Sequence, residues 1–308
     1  MRLASTFTVL SLAVVGCGDD GGSNPPVDAP ATKDIGFSKP TAPLMANDEQ
    51  GDNNWVEVGP ADLSCLGTPA NDVATTTAIT VNTKVTDFQS GGAVSGMVVT
   101  VFKNQDANSP EGSPATSDQT GDVTVVIPAG TKRFGYKMVN RDKALDTLLL
   151  NQSLSDPTTT PQTVSQIQSV STATAQTLPA LIGVSRTPGT GVLAGAVRDC
   201  MGREVSNFIA TVSSTQGSVT HVDGVDTYYF SSSVGLPVRH SQQAAGNKDG
   251  LFMAIEMQPS PTAYVQVWGY KTQQDVDSDN LTLIAELKTQ VIADTVITGS
   301  YEPIRTGL

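Results

Sequence analysis

Ile79-Thr80-Val81-Asn82-Thr83-Lys84-Val85-Thr86-Asp87 decides the fold class. Ile79, Val81, Thr83 and Val85 fall on one side of an extended chain, with Thr80, Asn82 and Lys84 on the other, the period of two that marks a half-buried strand. Gln89-Ser90-Gly91-Gly92 supplies a turn, and Val94, Met97, Val99 and Val101 continue as a second strand. An Asn/Ser/Pro/Gly loop then runs through Ser117. Gly121-Asp122 opens a third strand, Val123 to Ile127, which Pro128-Ala129-Gly130 stops, and a fourth spans Phe134 to Val139. Short strands punctuated by Gly and Pro predict a small antiparallel sandwich.

The same order recurs downstream. Val85-Thr86-Asp87-Phe88 matches Val197-Arg198-Asp199-Cys200, and Val94-Ser95 with Met97 to Val101 matches Val205-Ser206 with Phe208 to Val212. Gly121, Val123 and Pro128 correspond to Gly250, Phe252 and Pro259, and Phe134-Gly135-Tyr136 to Ala263-Tyr264-Val265. The period, near 112 residues from Val85 to Val197, is long enough for a domain rather than a solenoid repeat. The expectation is an all-β chain with two tandem Ig-like or transthyretin-like sandwiches. Between them, Val164, Ile167, Val170, Leu178, Leu181 and Ile182 approximate helical spacing, with Pro161 before and Gly183 after, so one or two short helices are expected as a connector. Leu281 to Leu287 and Val291 to Thr298 read as closing strands.

Composition bounds the class. The 308 residues are 38% hydrophobic and 16% charged, apolar enough to build cores, while 28 Gly and 18 Pro favour turns and short strands over helices. The net charge of -12 argues against nucleic acid and against lying flat on an anionic leaflet, because both need clustered cations.

Both runs resemble the carboxypeptidase regulatory-like domain, a transthyretin-like sandwich of about seven strands. Thr116-Ser117-Asp118 through Gly121 and Pro128-Ala129-Gly130 carry the resemblance in the first run, and Lys248-Asp249-Gly250-Leu251-Phe252 in the second, where Pro259-Ser260-Pro261 departs at the glycine. It covers residues 75–140 and 190–270 and implies non-catalytic modules attached to enzymes or surface proteins. The chain as a whole is also similar to uncharacterised bacterial envelope lipoproteins with a tether, a cysteine before the first sandwich and Val-Arg-Asp-Cys opening the second.

The N-terminus sets the expected location. One basic residue, Arg2, precedes an apolar run from Leu3 to Val15, the layout of a secretory signal and too short for a spanning helix. Val14-Val15-Gly16-Cys17 resembles the lipobox of bacterial lipoproteins, which implies cleavage before Cys17, acylation of its thiol and attachment to the membrane through that lipid. Gly18 follows where an inner-membrane retention signal carries aspartate, so the expected place is the outer membrane of a Gram-negative cell envelope. The Gly/Asp/Pro/Ser/Asn stretch beyond it cannot bury enough surface to order itself. The expected organisation is a signal peptide at 1–16, a disordered tether at 17–52, a first sandwich at 53–158, the helical connector at 159–189 and a second sandwich at 190–308. As a flexible coil, the tether of about 35 residues spans roughly 30 Å. Cys65 and Cys200 remain as an even pair in an oxidising compartment, either bridged or separate buried thiols.

Candidate chemistry is sparse. Asp275, Asp277, Asp279 and Glu286 fall at positions one, three, five and twelve of an EF-hand-type spacing, which suits Ca2+, but Asn280 stands where the sharp turn takes Gly and the flanks read as strands. A solvated hairpin loop is the competing reading. The two histidines, His221 and His240, sit in no metal-ligand spacing, and His221 with Asp223 lacks any nucleophile elbow. No cofactor and no catalysis are therefore expected. Tyr264, Gln266, Trp268 and Tyr270 share one strand face, either as core or, through Trp268 and Tyr270, as a platform for a glycan. The functional expectation is a non-catalytic, lipid-anchored envelope protein with a structural or adhesive role, partnered by an envelope glycan or a surface protein. The alternative is a carbohydrate-binding surface module.

Overall fold

A computed structural model describes residues 39–51, 54–103, 106–218, 226–239 and 241–307. The signal segment, Cys17, the tether up to residue 38, and both histidines lie outside them. In chain order, β1 (Met45–Glu49) and β2 (Trp55–Pro60) form a hairpin. The first repeat holds β3 (Ile79–Asp87), β4 (Val98–Lys103), β5 (Pro110–Thr116), β6 (Asp122–Ile127), β7 (Phe134–Val139) and β8 (Asp146–Gln152). It ends in β9 (Gln162–Thr163), β10 (Ile167–Ser169) and the helix α1 (Thr172–Leu181). The second repeat holds β11 (Gly191–Val197), β12 (Glu204–Ser206), β13 (Ile209–Ser213), β14 (Asp226–Ser231), β15 (Leu236–Val238) and β16 (Leu251–Met257). It closes with β17 (Ser260–Gly269), a short helix α2 (Gln273–Asp277), β18 (Thr282–Val291) and β19 (Thr295–Tyr301).

The fold is all-β. Alternation along β3 and β6 buries Ile79, Val81, Val85, Val123, Val125 and Ile127 against Val99, Val101, Tyr136 and Met138 of β4 and β7. Those residues form the first core, between a small sheet ordered β10-β3-β6 and the strands β8-β7-β4-β5. In the second repeat, Ala210, Val212, Val265, Val267, Ala285 and Leu287 of the sheet β13-β17-β18 pack on Leu193, Val197, Phe252, Ala254, Ile297 and Tyr301.

The internal duplication is structural. β3 pairs antiparallel with β6 as β11 does with β16. The Val85 N–H donates to the Gly121 carbonyl at 2.8 Å, and the Val197 N–H to the Gly250 carbonyl at 2.9 Å. β4 pairs with β7 as β13 does with β17, and β7 with β8 as β17 with β18.

The two repeats are not separate bodies. β19 pairs in parallel with β11 on one side and with β8 of the first repeat on the other, producing one nine-stranded sheet ordered β15-β14-β16-β11-β19-β8-β7-β4-β5. Tyr136 stands opposite Leu149 and Leu149 opposite Thr298, so the first core and the Thr298 side chain share one face. Leu148 and Ile297 share the other face and belong to the second core. The two small sheets therefore cover opposite faces at opposite ends of the long one.

The N-terminal region departs from the expected boundaries. Composition places residues 44–49 in the tether, yet Leu44 and Ala46 are buried and β1 pairs with β12 of the second repeat. The strap at residues 43–70 belongs to that repeat as well. The Leu44 N–H donates to the Tyr270 carbonyl at 2.8 Å, the Gly67 N–H to the Ile304 carbonyl at 2.8 Å, and the Asn207 amide to the Pro43 carbonyl at 2.8 Å. Cys65 and Cys200 form a disulfide with Cα atoms 5.8 Å apart, which fastens the strap to the second repeat. The loop read at 104–117 contains the edge strand β5. In the connector, Ile167 lies in a strand rather than a helix, because its side chain joins the first core beside Val85. The helix starts only after Ser171, whose hydroxyl accepts from the Thr174 N–H.

Candidate functional site

The small sheet of the first repeat stops at β10, but the long sheet beneath it runs on through β19, β11 and β16. The uncovered part of that face is the floor of a groove of about 500 Å3. Val192 and Ala194 of β11, Val296 and Thr298 of β19, and Met253 of β16 form the floor, since alternate residues of each strand face the same way. One wall is β10 with its flanking residues Gln166 and Val170. The other is α1, through Ala175, Leu178 and Pro179. Ile182, just past that helix, packs with Tyr228, Phe230, Met253 and Ile255, and this cluster holds the wall on the sheet. Phe88 closes one end, edge-on to Phe230 with ring centroids 5.9 Å apart.

Asp87 sets the position of both walls. Its Oδ2 accepts from the Ser90 N–H (3.0 Å), which tightens the turn after β3 that carries Phe88. Its Oδ1 accepts from the Ser171 N–H (2.8 Å) and the Thr174 hydroxyl (2.9 Å), which fixes the start of α1. Burial alone would raise this carboxyl, but the hydrogen bonds from Ser171 and Ser90 outweigh it and hold it below the ordinary value. Asp199 takes the repeat-equivalent place. It accepts from the N–H groups of Met201 (2.9 Å) and Asp62 (3.1 Å), and so holds the strap instead of a helix.

The groove carries little charge. Arg198 and Glu302 are the ionisable residues on its lining, and each is paired elsewhere, Arg198 with Glu204 (3.2 Å) and Glu302 with Arg133 (3.1 Å). The rest of its rim is amide and hydroxyl, with Asn151, Gln152, Gln166 and Gln168 most prominent. Such a surface can take up an uncharged occupant by burial and hydrogen bonding.

The residues singled out in the sequence lie elsewhere. Asp275, Asp277, Asp279 and Glu286 do not converge. Asp275 completes a capping box with Thr272 at the start of α2 and accepts from the Asn280 amide at 2.9 Å. Asp277 accepts from the Gln273 amide at 2.9 Å. Asp279 pairs with Lys39 and with the Tyr270 hydroxyl, and Glu286 accepts from the Gln266 amide at 2.8 Å. Among the described residues no group of three or more His, Cys, Asp or Glu could hold a metal ion. The EF-hand spacing fails because helix capping in the first half of the loop and strand pairing at Glu286 point the carboxylates apart.

Trp268 and Tyr270 are core residues. Trp268 is 9% exposed and donates its indole N–H to Gln266 Oε1 at 3.3 Å, while Tyr270 is 2% exposed. The hydrogen bond to Asp279 and partial burial push the Tyr270 hydroxyl up to about 12. Neither ring can serve as a glycan platform. Sequence periodicity does not reveal the groove, because β10 is three residues long and Ile167 also falls in a helical spacing with Val164 and Val170.

No protein-family model matches the chain. No curated protein matches it in sequence. Among solved structures it is similar to the shaft pilin SpaA from Lactobacillus rhamnosus GG, at 11% identity and a TM-score of 0.22 over 75% of this chain and 98% of that one. It is also similar to BcpA, the major pilin subunit of Bacillus cereus, at 10% identity and a TM-score of 0.21 over 73% of this chain and 69% of that one. A third likeness is chlorocatechol 1,2-dioxygenase from Pseudomonas putida, at 13% identity and a TM-score of 0.21 over 44% of this chain and 73% of that one.

Proposed function

We propose that this chain is a non-catalytic protein of the bacterial cell envelope, anchored through a lipid on Cys17 to the outer membrane of a Gram-negative cell, with a structural or adhesive role. The observation that carries the reading is the Cys65–Cys200 disulfide. Such bridges persist outside the reducing cytosol, and this one binds the segment nearest the anchor to the far half of the molecule. The lipobox resemblance at Val14-Val15-Gly16-Cys17 supports the anchor, and the sandwich motifs support a module that works by shape. Among the described residues no helix is long and apolar enough to cross a membrane. A glycan site on Trp268 and Tyr270 is no part of the reading, since both rings are buried.

The test is fractionation of producing cells with mass analysis of the mature N-terminus. The expected result is a membrane-bound chain beginning at an acylated Cys17, and a Cys17→Ser variant that is neither acylated nor membrane-bound. A wild-type chain recovered in the soluble fraction with Cys17 unmodified would overturn the anchor.

A further inference from the structure

The duplication allows a comparison within one molecule. β10 lies parallel to β3 with Ile167 opposite Val85, and β19 lies parallel to β11 with Tyr301 opposite Val197. Val85 and Val197 are repeat equivalents, so β9 and β10 together stand where β19 and the residues after it stand in the second repeat, with Gln162 in the place of Ile297 and Ile167 in that of Tyr301. The far edge of β19 is occupied by β8, in parallel register from Thr295 opposite Asp146 to Gly299 opposite Leu150. The far edge of β10 has no strand beside it among the described residues and faces the groove.

In a parallel ladder alternate residues send both main-chain groups to the same neighbour. The Ser169 carbonyl accepts from the Phe88 N–H at 2.8 Å, so Ser169 and Ile167 are turned to β3. Gln166 and Gln168 therefore turn their N–H and C=O groups to the groove. Val170, next along, is already engaged: its N–H donates to Thr147 Oγ1 at 3.3 Å and its carbonyl accepts from the Leu145 N–H at 3.1 Å. The open edge is short and bounded.

We infer that this groove is a docking site for an extended, uncharged peptide segment of a partner protein, which adds to the open edge of β10 as a further strand. The added strand continues the small sheet β10-β3-β6 over the long one, and alternate side chains settle on Val296, Thr298, Val192 and Ala194. Exposed main-chain donors and acceptors beside an apolar floor are complementary to a polypeptide backbone. The charge pattern selects the segment. Although the chain carries -12 overall, both ionisable groups on the lining are already paired, so a charged side chain entering here would lose its water and gain no counterion. The site goes beyond the envelope role proposed above and does not depend on Cys17.

The test uses the full chain carrying Cys17→Ser, screened against displayed uncharged peptides of about seven residues, the length of β19. The expected result is enrichment of peptides with small apolar residues at alternate positions. Gln168→Pro removes an N–H that β3 does not use and should weaken the enriched peptides about tenfold or more, while Gln168→Ala, which keeps that N–H, should leave their affinity unchanged. Ala194→Trp fills the floor and should abolish binding. Failure to enrich peptides beyond the Gln168→Pro protein would overturn the site. So would an occupant weakened as much by Gln168→Ala as by Gln168→Pro, which marks side-chain recognition, as of a neutral glycan. Should Gln168→Pro lower the melting temperature sharply, amide exchange in the unsubstituted protein decides. The Gln168 N–H should be slowed by saturating peptide, and unchanged exchange there would overturn strand addition.

Discussion

Two glycines carry the same burden in the two repeats. Gly121 and Gly250 have φ of +83° and +67°, and a Cβ on either would stand 2.6 Å from the Val85 carbonyl oxygen or 2.8 Å from that of Val197. Only a residue without a side chain lets the turn before β6 or β16 bond back to the first strand of its repeat. Gly121→Ala and Gly250→Ala should each lower stability by about 2 kcal/mol or more in urea unfolding, and a neutral result at either would break the equivalence of the two turns. Beside Gly250, Asp249 is 3% exposed and its Oδ2 lacks a hydrogen-bond partner. Burial pushes this carboxyl up to about 7, with the nearby Glu204 adding to the effect and the Leu251 N–H opposing it. Folded Asp249 holds its proton where the unfolded chain has released it. Its stabilising contribution is therefore complete below its unfolded value of 3.8 and is lost as pH rises through about 7. The melting temperature should fall between about pH 4 and about pH 7, and Asp249→Asn should flatten that slope. A slope unchanged by Asp249→Asn would assign it to another group.

At the scale of elements, the strap is secured by pairing and by a covalent bond. β1 lies on β12, and Cys65–Cys200 closes a span of 135 residues. In the chain-entropy account a loop of that size stabilises by up to about 5 kcal/mol. Replacing both cysteines by Ser should lower the guanidinium midpoint accordingly, and an unchanged midpoint would mean that β1, β2 and their neighbours hold the strap unaided. The strands that were legible in the sequence are those with one dry face. β3, β6 and β7 alternate because one side meets the first core. β5 was hidden because it is an edge strand exposed along most of its length, and prolines and a glycine are tolerated there. β1 was hidden by tether-like composition, with only Leu44 and Ala46 to mark its burial. α2 was hidden by an acidic spacing that helix capping uses differently. Cysteine count narrowed Cys65 and Cys200 to a bridge or two separate buried thiols, and the structure bridges them. The groove was not legible, because it arises where one sheet ends above another, and no local pattern encodes that.

For the whole molecule, the repeat was legible but the way its halves join was not. The pairing of β19 with β8 links residues about 150 apart, and neither strand's own pattern names its partner. Two tandem sandwiches, each with its own core, imply that a chain ending near residue 185 keeps the first one intact. The structure predicts the opposite. Such a fragment leaves β8 without β19 and the strap without β12, Tyr270 and Ile304, exposing a long apolar edge. It should show no cooperative melt by circular dichroism, whereas the full chain should unfold in one transition. A sharp melt in the fragment would restore the two-body view. The strap also decides how the molecule bears load. Tension drawn through the N-terminus first breaks the Lys39–Asp279 pair and the Asn207 bond to the Pro43 carbonyl, and then peels β1 from β12. The slack so released, residues 44–64, is about 70 Å at full extension. At Cys65 the pull passes into a sulfur–sulfur bond and from there to Cys200 in the second repeat. Leu44, Ala61 and Leu63 leave the second core as the strap peels, but the first core and the rest of the second lie beyond that stop, so the protein can lengthen under force by a fixed amount while its body, groove included, stays folded.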